Sequence, residues 1–465
     1  MSDLIGVHDP PWETGMNPAP VNHTVILTEQ NSLDDAHDLL AVIHKVAWRL
    51  MPLIAVCYMF AFFDRINISF AKFQLQTDLG LSDTAYGLGA GLFVVGYVLF
   101  EVPSNMLLYK VGARRWIARI LISWGLATSA MVFVGSQWQF YGLRFFIGAM
   151  EAGFAPGVLY YLTLWFPPSY RGRVTSLLFL SSAFAGLVGA PISGVVLAYM
   201  NGVLDIRGWH WLFLFGGLPC IVLGMLVLRR LEDRVEDADW LSAAEKSLLT
   251  AQLADQNRHA VVSHSFGSAL RTPGFLILAL IYFLIQVGSY GLNFWAPHLI
   301  RTAGTRNPAS IGLLTSLPYI FGAISMVVVG RLSDVSGERL KFISALLVMA
   351  ALGFFAAGIF ERQTELLIGS LAVIGAGVVA SVPAFWTLPP KLWTGAGAAS
   401  GIALINTLGH LGGIISPIMI GRIRDVTGST TPALYALGAL SLLGTLLLRF
   451  ALPEQLRRRD YVARH

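Results

Sequence analysis

Four ionisable residues stand in otherwise apolar stretches. Asp64 and Arg65 interrupt the run that begins near residue 46, and Arg144 and Glu151 interrupt the run at 141–166. Seven residues separate Arg144 from Glu151, so on a helix they share a face about 10 Å apart. An arginine guanidinium offers a planar fork that matches a carboxylate and keeps its charge when desolvated. Arg65 is therefore the candidate for gripping an anion. Burial and a neighbouring arginine pull a carboxyl group's proton affinity in opposite directions. Asp64 and Glu151 are accordingly candidates for binding and releasing a proton, with Arg144 as the charge that ionised Glu151 holds. A network that merely pins helices together is the weaker reading, because buried ion pairs stabilise poorly compared with apolar packing.

The second half of the chain carries almost no charge in its apolar runs. Its candidates are neutral: Asn293 with Tyr290 and Trp295, then Ser381, Trp386 and Thr387, then Asn406 and His410. These could meet hydroxyl or ring groups of a bound molecule. His410 is either a hydrogen-bonding residue or, since imidazole titrates near neutrality, a relay. A cation in one half and neutral donors with aromatics in the other suit a substrate with a carboxylate at one end.

The elements that position these residues follow from composition. Of 465 residues 55% are apolar and 13% charged, with mean hydropathy +0.64, where soluble proteins carry about 25% charged residues. A membrane is the expected solvent. Runs of about 20 apolar residues are long enough to span one as helices. They fall near 46–71, 84–108, 116–134, 141–166, 174–200 and 209–230, then 273–300, 308–330, 342–360, 365–388, 396–421 and 432–451. The spacing predicts an all-α, twelve-helix protein, since barrel strands would be near 10 residues with alternating polarity. Residues 1–45 read as a flexible cytosolic tail, 46–230 as a six-helix bundle and 231–272 as a cytosolic loop. A second bundle covers 273–451, and a basic tail 452–465. Within the loop, Ser242 and Glu245 form a capping-box pattern ahead of Leu248, Leu249 and Leu253, which predicts a short amphipathic helix.

Sorting the 32 lysines and arginines with the N-terminus inside gives 23 in cytosolic segments, seven outside, Lys72, Arg422 and Arg424 among the latter, and two, Arg65 and Arg144, within spans. That asymmetry predicts cytosolic termini and a multi-pass protein of the cytoplasmic membrane. A net charge of +5 is too dispersed for nucleic acid, and Cys57 and Cys220 lie in apolar runs that suggest neither disulfide nor metal site. The absence of G-x-x-x-x-G-K-[ST] and H-E-x-x-H argues against a nucleotide-driven pump and a zinc hydrolase. No cofactor is expected; ion gradients would supply the energy.

The two halves repeat. Gly330-Arg-Leu-Ser-Asp334-Val-Ser-Gly337-Glu-Arg339 follows span eight, and Asn105 to Arg115 occupies the matching place after span two. Phe166-Pro167-Pro168 and Leu388-Pro389-Pro390 follow spans four and ten. Such repeats imply a pseudo-twofold axis, a midplane site and rocking about it. The loop of Gly330, Asp334, Gly337 and Arg339 resembles the signature of the major facilitator superfamily, whose gating role it would share. The first-half copy departs from it, with Tyr109 in place of the acid. Phe63-Asp64-Arg65-Ile66-Asn67, Glu101-Val-Pro-Ser-Asn105, Arg144 to Ala152 and Phe385 to Pro390 resemble the anion:cation symporter family. That resemblance implies import of a small organic anion (tartrate-like, aromatic or sugar acid) by proton symport; the protein is expected to act as a monomer. It implies Asp64 and Glu151 as proton carriers, Arg65 as the substrate arginine and Tyr97 as a cavity residue. Proton-independent exchange or uniport, and a transporter-like ligand sensor, are the alternatives.

Overall fold

The computed structural model describes residues 23–257, 274–389 and 396–453. Every regular element is helical among them. The helices are α1 (His23–Leu79), α2 (Asp83–Val111), α3 (Ala113–Ser129), α4 (Gln137–Glu151), α5 (Phe154–Trp165), α6 (Pro168–Tyr199) and α7 (Gly208–Arg230). After the connecting α8 (Ala243–Asn257) come α9 (Phe275–Thr302), α10 (Pro308–Ser336), α11 (Arg339–Ile359) and α12 (Thr364–Phe385). The series ends with α13 (Ala396–His410), α14 (Gly412–Thr427) and α15 (Thr431–Leu446).

Eleven stretches among the described residues are helical, long and apolar enough to cross a bilayer, and α6 adds a shorter apolar stretch, Phe184–Tyr199. Two passages are each made of two helices. α4 and α5 join at Ala152-Gly153, and α13 and α14 join at Leu411. A break inside a membrane leaves backbone groups that must find partners in the protein. At the first break Ser104 donates its hydroxyl to the Ala152 carbonyl at 2.6 Å.

α3 packs on α7, α2 on α4 and α1 on α6; α10 and α11 pack on α12, and α11 on α15. The two sets meet along α2–α14 and α6–α10. At those seams glycine brings backbones together: a Cβ on Gly87 would collide with the Pro417 carbonyl, one on Gly194 with that of Pro308, and one on Gly421 with that of Asp83. These approaches lie toward the end that carries the α1–α2 and α9–α10 turns, the expected outer end. At the other end Gly330 has open space around it, and Leu332 and Val335 are exposed.

The expected tail to residue 45 is shortened by α1, which is already helical from His23. Val42, Ile43, Val46 and Leu50 recur at helical spacing and are buried, so the helix has a core face well before the apolar run begins. α8 forms where the capping box predicts it. The Ser242 amide donates to Glu245 Oε2 at 2.7 Å and the Glu245 amide to Ser242 Oγ at 3.2 Å. Leu249 is buried, with Leu248 and Leu253 against the core. Lys45 pairs with Glu245 at 2.9 Å, which holds that carboxyl below the usual carboxylate range. Residues 1–22, 258–273, 390–395 and 454–465, which include the end of the central loop, Pro390 and most of the basic tail, lie outside the described residues.

Candidate functional site

Neighbouring residues on a helix point about 100° apart, so Asp64 and Arg65 address different partners. Asp64 is buried among α1, α3 and α7. Its Oδ2 accepts from the Trp124 indole N–H at 3.3 Å, and its Oδ1 has no hydrogen-bond partner among the described residues. One turn on, Asn67 donates to the Leu212 carbonyl at 3.3 Å and accepts from Ser193 at 3.0 Å, which ties α1 to α6 and α7.

Arg65 turns the other way. Its Nε and Nη2 both donate to Glu151 Oε1, at 3.1 and 2.5 Å. The guanidinium carbon lies 5.3 Å from the rings of Phe62 and Tyr97 and 5.5 Å from that of Phe93. The Arg65 side chain is 20% exposed and that of Glu151 1%, so the cation is the open member of the pair. Glu151 is the last residue of α4, at the break. Its carboxylate therefore sits where the helix stops and the chain turns.

The expected Arg144–Glu151 pair is replaced by Arg65–Glu151. Two helical turns hold Arg144 about 10 Å below Glu151, whereas α1 presents Arg65 to it directly. Arg144 is buried, its guanidinium carbon 4.8 Å over Phe93, and its three guanidinium nitrogens have no hydrogen-bond partner among the described residues. The structure thus brings Arg65, Glu151 and Tyr97 together and sets Asp64 and Arg144 behind them.

From the second set, His410 ends α13 at its break and reaches the same place. Its ring is 5.7 Å from Tyr97, and its Nδ1 is 3.0 Å from the Tyr290 hydroxyl. Asn293, one turn beyond Tyr290, accepts the Tyr319 hydroxyl at 2.5 Å. Trp386 packs edge-on to Tyr282, rings 4.8 Å apart, and Thr387 donates to the Ala384 carbonyl at 2.8 Å. Ser381 likewise donates to its own helix, to Val378. Asn406 lies half-buried one turn before His410. His410 and Tyr290 therefore join the Arg65 cluster, while Trp386 sits at Tyr282, about 12 Å along α9. Of the expected gating loop, Gly330 and Asp334 lie in the last turns of α10 and Arg339 begins α11, so the turn itself is only Gly337-Glu338. Gly337 caps α10 with φ +66°, and Asp334 lies 3.7 Å from Arg339.

Sequence reasoning missed a second cluster, of Lys72, Asp83, Arg424 and Asp425, at the expected outer end. Lys72 was read as a loop residue because the apolar run stops at 71, yet it is fully buried within α1.

Helices on this plan, with a charge cluster at their meeting point, define a membrane transporter rather than an enzyme. The chain belongs to the Major Facilitator Superfamily, whose model matches residues 54–417 and 278–460. It is 41% identical over 423 residues to an Agrobacterium vitis protein named for tartrate transport, covering 90% of this chain and 93% of that one. It is 40% identical to a quinolone resistance transporter of Acinetobacter baumannii, covering 90% and 96%. The crystal structure of a D-xylose-proton symporter matches with a TM-score of 0.72 at 14% identity, over 89% of this chain and 99% of that one, which shows the shared fold.

Proposed function

We propose that the protein imports a small organic anion, a carboxylate of the tartrate-like, aromatic or sugar-acid kind, together with protons by alternating access. It does so across the cytoplasmic membrane with both termini cytosolic, the orientation favoured by the 23-to-seven bias in basic residues. The observation that carries this reading is the Arg65–Glu151 pair, in which the open guanidinium is already held by an internal carboxylate. Asp64, Arg65, Arg144 and Glu151 sum to zero when all are ionised. A substrate carboxylate on Arg65 adds a negative charge in a place where charge is expensive. Protonation of Glu151 removes one negative charge and frees Arg65 in the same event, so substrate and proton enter as partners. Asp64, buried on the far side of α1, is the second proton carrier. The aromatic rings around Arg65 and the Tyr290–His410 pair would wall the organic part of the molecule.

Uptake of labelled acids into proteoliposomes tests this. An imposed inward proton gradient should drive accumulation of at least one acid, more strongly as outside pH falls. Uptake indifferent to the gradient would instead favour exchange or uniport at the same site.

A further inference from the structure

The expected outer end is held by charges contributed from both sets of helices. Lys72 of α1 pairs with Asp83 Oδ1 at 2.8 Å, its ammonium 3.4 Å over the Trp295 ring and 5.1 Å from that of Tyr86. The other Asp83 oxygen meets the Arg424 guanidinium of α14. Asp425, the next residue, accepts the backbone N–H groups of Asp83 at 3.0 Å and Thr84 at 2.8 Å. The free amides that begin α2 are thus capped by a carboxylate from the opposite set, which also suits the helix dipole. His298 of α9 lies buried beside them, stacked on Phe73 and edge-on to Trp295.

The opposite end is built differently. Where Tyr109 replaces the signature acid, Asp233 accepts the Arg114 amide at 2.8 Å, and Arg114 Nε donates to the Leu228 carbonyl at 3.0 Å. That carboxylate secures α3 to the end of α7, within the first set. Asp334–Arg339 lies within the second set, and Lys45–Glu245 ties α1 to α8. None of these three contacts joins the two sets.

We propose that Asp83, bridging Lys72 and Arg424, together with Asp425 on the start of α2, is the latch of the outer gate, and that it makes the closed outer end the resting state. The arrangement is reversible because its two parts separate cleanly. When the sets part, Arg424 and Asp425 move into water with α14, while Lys72 keeps Asp83 within the first set. Opening therefore strands no buried charge, the outcome that is most costly for ion pairs.

The test uses the full-length protein in lipid nanodiscs, with Cys57 and Cys220 replaced by alanine and spin labels at Val203→Cys and Arg306→Cys. These exposed positions lie on expected outer loops, one on each set. Pulsed dipolar spectroscopy should give one short distance for this parent. Arg424→Gln and Asp425→Asn, which leave the Lys72–Asp83 pair intact, should each enrich a longer distance by about tenfold, as expected when one state loses a charge-assisted contact. Unchanged distances in both variants would overturn the proposal. So would an equal lengthening in Arg301→Gln, a nearby cation that stacks on Phe73, since that would mark a general charge effect. Asp83→Asn would leave Lys72 buried and unpaired, so the judgement rests on the other two variants. No substrate is needed, and the result is independent of what is carried.

Discussion

Glu151 occupies Arg65, where the proposed substrate carboxylate would have to bind, and this makes the two residues separable by experiment. Glu151→Gln keeps the size and hydrogen-bonding capacity of the side chain but cannot change charge. In proteoliposomes it should retain exchange of labelled for unlabelled substrate while losing accumulation driven by a pH gradient. Exchange falling as steeply as accumulation would show that Glu151 holds the site together rather than coupling it. Arg65→Lys keeps the charge and loses the fork, so it should weaken both modes by about tenfold or more through substrate affinity. Asp64→Asn leaves the contact with Trp124 available and removes the titratable group. It should therefore reduce gradient-driven uptake with little effect on thermal stability.

At the scale of elements, the site depends on two interrupted passages. Glu151 and His410 each end a helix, at the breaks between α4 and α5 and between α13 and α14. The first break needs Gly153, whose φ is +85° and whose missing Cβ leaves room for Ser104 Oγ. A left-handed conformation costs an ordinary residue about 1–2 kcal/mol, and the collision adds to it. Gly153→Ala should accordingly lower the melting temperature in detergent, and Ser104→Ala in the same chain should not rescue it, because the Ser104 Cβ also crowds the added group and the hydroxyl's bond to Ala152 is lost. The helices themselves were legible in the sequence because lipid demands long apolar runs, and so were Asp64, Arg65, Arg144 and Glu151 because lipid excludes charge. The breaks were not, since Ala152-Gly153 and Leu411 are as apolar as an unbroken helix. Nor was the partner of Glu151, because sequence spacing relates residues within α4 but says nothing about which face α1 turns toward it. Lys72 escaped notice for a related reason: hydropathy ends the span one residue too early, and only the Asp83 carboxylate and the Trp295 ring show that the ammonium is inside.

For the whole molecule, the close backbone approaches fall into two classes that should respond oppositely to the same substitution. Gly125 of α3 meets the Gly217 carbonyl of α7 within the first set, a seam that the proposed rocking would leave closed. Gly87 of α2 meets the Pro417 carbonyl of α14 across the seam that the proposed rocking would open. Overpacking a well-filled contact costs about 1–3 kcal/mol. At Gly125 that cost is borne by the folded state as a whole, so Gly125→Val should lower the melting temperature. At Gly87 it is borne only while the outer ends are together, so Gly87→Val should leave the melting temperature nearly unchanged. It should instead shift the population toward an open outer end, by about tenfold for each 1.4 kcal/mol. The labels at positions 203 and 306 would report this as a longer distance. If Gly87→Val instead destabilised the fold as much as Gly125→Val while the label distance stayed short, the two sets would be a single packed unit. The rocking that transport by this fold requires would then have to occur along some other seam.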